Sequence, residues 1–93
     1  MIAIDTNLLI YAHRAGAPEH KAARETIERA AEHSGGWGIS FPCLAEFWSI
    51  VTHPLCEGGP SEPRKASLFL QSLVKEGGAE IWRPAENFYE HLT

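Results

Sequence analysis

Three short apolar segments, separated by helix-patterned stretches, set what this chain can fold into. Residues 1–5 are the first, with β-branched Ile2 and Ile4 around Ala3. Residues 37–41 are the second and 79–82 the third. Parallel strands need a long crossover between them, and a helix supplies it. The order therefore predicts an α/β fold, a short parallel sheet flanked by helices. A chain of 93 residues makes one such domain, spanning 1–93.

The crossovers read clearly. Asp5-Thr6-Asn7 interrupts the first apolar run, and Thr6 is the expected cap of a short helix over 8–12. One continuous strand from Met1 to Tyr11 is the alternative. Three turn- and cap-forming residues in series argue against it. Residues 18–33 predict a helix opening at Pro18, with Ala22, Ala23, Thr26, Ile27, Ala30 and Ala31 on one face. Pro42 predicts a helix start running to about His53, with Leu44, Phe47, Trp48 and Val51 inward. Pro63 starts another, with Ala66, Phe69, Leu70, Leu73 and Val74 inward, and Gly77-Gly78 ends it. A last helix begins near Glu86, and its apolar pattern stops short at Thr93. An amphipathic pattern cut this early is expected to continue in a longer chain.

Charge excludes one class of function. Lys and Arg total 8 against 12 Asp and Glu, a formal net charge of −4. A passive nucleic-acid binder that grips phosphates with its own cations is not written here. An enzyme that meets phosphates through a bound cation remains open. No targeting segment or membrane-spanning run is evident. Two cysteines, Cys43 and Cys56, are too few to staple a small secreted fold. The expected setting is the cytoplasm, with both thiols free.

The acids are unevenly placed. Asp5 is the single aspartate, directly after the first strand. Ligands of open parallel sheets bind beyond the carboxyl ends of the strands, so Asp5 is a candidate metal ligand there. Glu46 is the only acid between Glu32 and Glu57, on a helix otherwise rich in Leu44, Phe47, Trp48, Ile50 and Val51. A carboxylate among such neighbours calls for a compensating cation. Two carboxylates converging at one edge suit Mg²⁺ or Mn²⁺. The plainer readings stand beside these: Asp5 as a helix cap, and Glu46 as a surface residue. The five histidines are scattered and read as surface or loop residues. His53, Cys56 and Cys43 lack the paired spacing of a zinc site. Trp37, Trp48 and Trp82 read as core or interface before base-stacking platforms.

Two blocks carry a family resemblance. Met1-Ile-Ala-Ile-Asp5-Thr6-Asn7-Leu-Leu-Ile-Tyr-Ala12 resembles the opening of PIN-domain proteins, in particular VapC-type toxins of bacterial toxin–antitoxin systems. Phe41-Pro-Cys-Leu-Ala-Glu46-Phe-Trp-Ser-Ile-Val-Thr-His-Pro54 resembles the family's second motif, an acid early in an apolar helix. The resemblance implies a Mg²⁺- or Mn²⁺-dependent ribonuclease that cleaves RNA phosphodiesters. Asp5 and Glu46 match its metal-holding catalytic acids, and Thr6 and Asn7 match the small polar residues that orient the first. It further implies a cognate antitoxin as partner, and a homodimer or other self-association.

The departure matters equally. The family carries further acids, whose positions fall after Thr93. The chain is accordingly expected to be the N-terminal part of such a domain, with little or no activity alone. Two rivals follow: a catalytically inactive PIN-like interaction module that binds an antitoxin or a full-length copy, and a different metal-dependent phosphotransfer enzyme on an α/β sheet.

Overall fold

The computed structural model describes residues 1–56 and 58–83. Its elements run β1 (Ile2–Ala3), α1 (Thr6–His13), α2 (His20–Ala31), β2 (Trp37–Ser40), α3 (Phe41–Val51), α4 (Pro63–Lys75) and β3 (Glu80–Trp82). The strands form one sheet in the order β1-β2-β3, and both pairings are parallel. The α/β architecture expected from the sequence is thus the one observed. The helix anticipated near Glu86 lies outside the described residues.

Several boundaries differ, each for a local reason. β1 is shorter than residues 1–5. The Ile4 amide still donates to the Gly38 carbonyl at 3.0 Å, and then Asp5 leaves the ladder to cap α1. The cap is Asp5 rather than Thr6: its Oδ1 accepts the Leu8 amide at 2.8 Å. Thr6 is instead the first residue of α1, and it is buried.

α2 starts at His20 rather than Pro18. A turn over 17–20, in which the His20 amide donates to the Ala17 carbonyl, precedes it. The His20 ring Nδ1 also lies 2.9 Å from the Tyr11 carbonyl, which pins the start of α2 to α1. α3 starts one residue before Pro42, because the Ser40 hydroxyl accepts the Cys43 amide at 3.3 Å and caps it.

The core gathers where these helices cover the sheet. Leu9, Phe47 and Val51 are fully buried, with Ile4, Trp37, Ile39 and Ile27 close behind. Ala12, Ala23 and Ala30 are buried too. Such small side chains let α1 lie close against α2, and α1 also packs on α3. On α2 the expected face narrows, with Ala22 and Ala31 exposed, and on α3 and α4 two residues expected inside are not. Trp48 is 38% exposed and Val74 41% exposed, so the inward stripes of α3 and α4 are narrower than their apolar patterns. A helix buries only the arc that meets a neighbour.

Gly38 sets the spacing between β2 and β3. A Cβ there would lie 2.5 Å from the Glu80 carbonyl oxygen and 2.9 Å from the Trp82 ring. Trp37 is buried beside it, and its indole N–H donates to the Gly77 carbonyl at 2.6 Å. That bond ties the start of β2 to the turn after α4.

Candidate functional site

Two helices leave the same edge of the sheet from neighbouring parallel strands. Ala3 pairs with Gly38. Counting on two residues reaches Asp5 after β1 and Ser40 at the end of β2. Each is the N-cap of the helix that follows it. Both helices therefore start at the carboxyl edge, and they pack against one another. Helix N-termini carry partial positive charge, so this edge favours anions and acidic side chains.

Asp5 is exposed, and the cap bond engages only Oδ1. Glu46 is the sixth residue of α3. At ~1.5 Å rise per residue it stands about 7.5 Å along the axis from Phe41. Helical Cα–Cβ bonds tilt toward the N-terminus, which leans this residue back toward the edge. Glu46 is exposed, as are its neighbours Ala45, Trp48, Ser49 and Ile50. The expectation that burial forces a compensating cation onto Glu46 is thus corrected: its apolar-looking helix turns that flank to solvent. Thr6 is buried at the base of α1, and Asn7 is exposed next to it.

Two carboxylates are hard oxygen donors, which suit Mg²⁺ or Mn²⁺ better than a thiophilic ion. Among the described residues no group of three or more His, Cys, Asp or Glu side chains gathers at one point. Asp5 and Glu46 are each a donor of the kind a hard cation takes. Cys43 and Cys56 are half-buried, and neither is in a disulfide. Among the described residues no helix is long and apolar enough to cross a membrane.

His13, expected from the sequence to be a surface or loop residue, is instead the last residue of α1 and packs inward. The ring is half-buried, with its centroid 5.4 Å from that of Phe47 and 4.9 Å from that of Phe69. Its Nε2 lies 3.0 Å from the Ser61 hydroxyl oxygen. Burial, and then the neighbouring Arg14 charge, lower its pKa from the ordinary histidine value. The available signal was helical spacing, since His13 follows the buried Thr6 and Leu9 along one side of α1. His13 also lines a cavity of about 530 Å³ between α2 and α4, which includes neither Asp5 nor Glu46. Asp5 and Glu46 are both exposed, and the chemistry of these donors marks the edge.

Comparison with known proteins matches the PIN domain family over residues 2–93. VapC ribonuclease Mb2897 of Mycobacterium bovis is 33% identical over 89 residues. Ribonuclease VapC43 of Mycobacterium tuberculosis, in strains CDC 1551 and H37Rv, shows the same 33% identity over 89 residues. Each alignment takes in 96% of this chain and 60% of the relative. The chain therefore spans about 60% of the length of the curated relatives it matches.

Proposed function

This chain belongs to the PIN-domain family, and from that premise we propose that it is a divalent-metal-dependent ribonuclease of a toxin–antitoxin pair. The observation that carries the reading is the common edge. Asp5 and the helix bearing Glu46 follow neighbouring parallel strands that end side by side.

Asp5 and Glu46 would hold Mg²⁺ or Mn²⁺, Asp5 through the oxygen its cap bond leaves over. A cation bound there activates water and offsets charge on the scissile phosphate. Thr6, buried as the first residue of α1, and Asn7, exposed after it, would orient Asp5. The net charge of −4 fits this division of labour. The chain does not hold RNA with a basic surface of its own, so the phosphate is met through the cation. An antitoxin is the natural regulator of such an edge, and self-association accompanies it.

One observation favours a second reading. Among the described residues no group of three or more His, Cys, Asp or Glu side chains gathers to hold a metal ion, and hard cations take about six oxygens. A catalytically inactive module that binds an antitoxin or a longer copy answers to that.

The test is incubation of this chain, Asp5→Asn and Glu46→Gln with single-stranded RNA and with a phosphomonoester, in Mn²⁺ and in chelator. Mn²⁺-dependent RNA products lost in both variants support the nuclease. Asp5-dependent Mn²⁺ binding without products supports the inactive module. Phosphomonoester turnover supports a different phosphotransfer enzyme. Mn²⁺ binding untouched by either variant contradicts the site.

A further inference from the structure

His13 closes α1 at the point where three helices and a connecting loop meet. Its ring meets Phe47 of α3 edge-on, at 77° between planes, and lies tilted against Phe69 of α4. Phe47 and Phe69 are 5.6 Å apart between centroids. On the remaining side is Ser61, in the connection between α3 and α4, with its hydroxyl oxygen 3.0 Å from Nε2. Arg14, the next residue, donates to the Gly59 carbonyl at 2.8 Å and to the same Ser61 oxygen at 3.3 Å. The Ser61 amide donates back to the Val51 carbonyl at 2.7 Å.

The roles of the ring nitrogen and the hydroxyl follow from the tautomer. A guanidinium only donates, so Ser61 accepts from Arg14. Its own O–H is then available to donate to Nε2. That requires Nε2 to be unprotonated, with the proton of neutral His13 on Nδ1.

We propose that the His13–Ser61 contact is a proton-sensitive tether, which holds the α3–α4 connection against α1 while His13 is neutral and loosens it when His13 is protonated. Protonation ends the O–H to Nε2 bond and leaves two cationic donors, Nε2–H and the Arg14 guanidinium, sharing the one Ser61 oxygen. It also places a second positive charge beside Arg14.

The facing groups are these. α3 and α4 present Phe47 and Phe69, both uncharged, and the connection presents Ser61. From α2, His20, Arg24 and Glu28 line the cavity that His13 borders, and Glu76 lines it from the end of α4. Glu28 and Glu76 are exposed, so water screens their pull on a charged ring. Burial and Arg14 both work against the charged form.

The folded-state pKa lies below the unfolded one, so the folded chain takes up this proton less readily. The tether's contribution is complete above the ordinary value of 6.5 and is lost as pH falls from there through the folded value.

Native-state amide exchange tests this, read at Gly59 and Ser61 from about pH 7.5 to about pH 5, the range in which histidine titrates, with intrinsic rates divided out. The expected result is a loss of protection that approaches tenfold per unit of pH between 6.5 and the folded pKa and levels off below it, as one bound proton requires. His13→Phe keeps a ring in the cluster and removes the titration, so protection there becomes independent of pH. The same pH-dependent loss in His13→Phe, or no loss in the unaltered chain, overturns the proposal. Should His13→Phe not fold, Ser61→Ala decides through the ring Cε1–H titration of His13. Removing the hydroxyl donor raises that pKa toward 6.5, and an unchanged titration overturns the tether.

Discussion

The Asp5 carboxylate accepts the Leu8 amide at 2.8 Å, so the residue proposed to hold a metal also starts the first helix. Folding and function draw on different oxygens of one side chain. The substitutions that separate them follow directly. Asp5→Asn keeps a cap oxygen and changes stability by a few tenths of a kcal/mol, while Asp5→Ala costs about 1 kcal/mol. Both remove the carboxylate, so both abolish Asp5-dependent Mn²⁺ binding. Urea unfolding beside a Mn²⁺ titration checks the pair, and equal destabilisation by Asn and Ala contradicts the cap.

Gly38 is the closest approach in the sheet. Gly38→Ala drives a methyl group into the Glu80 carbonyl and the Trp82 ring. Overpacking of this kind costs roughly 1–3 kcal/mol. The expected outcome is a lower unfolding midpoint with altered tryptophan fluorescence. A neutral substitution would show that β3 is free to move away.

Phe47 is fully buried one residue after Glu46 and carries the ring cluster. Phe47→Ala should cost about 3–5 kcal/mol, and Phe47→Leu a good deal less. A domain of this size has only about 5–10 kcal/mol to lose. Thermal melts followed by circular dichroism will rank them, with Phe47→Ala melting lowest and Phe47→Leu between it and the unaltered chain.

α3 leaves apolar side chains in water: Phe41 at 49% exposure, Trp48 and Ile50 at 38%. Phe41 and Trp48 are seven residues apart, so both lie on one side of the helix. Self-association of the chain is expected to use that side. Sedimentation velocity over a concentration series should show assembly that weakens in the double substitution Phe41→Ser and Trp48→Ser. Unchanged assembly would place the contact elsewhere.

The fold was largely legible because its signals are regional. Alternating apolar segments and helical faces fix a parallel α/β order whatever the exact ends. The ends were not legible, because single hydrogen bonds decide them. Asp5 takes the cap that Thr6 was expected to make, and Ser40 moves the start of α3 ahead of Pro42.

That Asp5 and the helix bearing Glu46 follow neighbouring strands was legible from their order in the sequence. The burial of Glu46 was not. An apolar helix sequence does not say which arc meets a neighbour, and α3 turns Glu46, Trp48 and Ile50 outward. His13 was missed for a related reason. Its partners Ser61 and Phe69 are 48 and 56 positions away along the chain, and no local pattern announces such a meeting.

The central claim is that Asp5 and Glu46 share one divalent cation. Paramagnetic broadening of backbone amide signals by Mn²⁺ tests it most directly, since it reports weak binding by position. The account predicts selective broadening at residues 5–8 and 43–47, lost in Asp5→Asn. Broadening centred elsewhere, or unchanged in that variant, would contradict it.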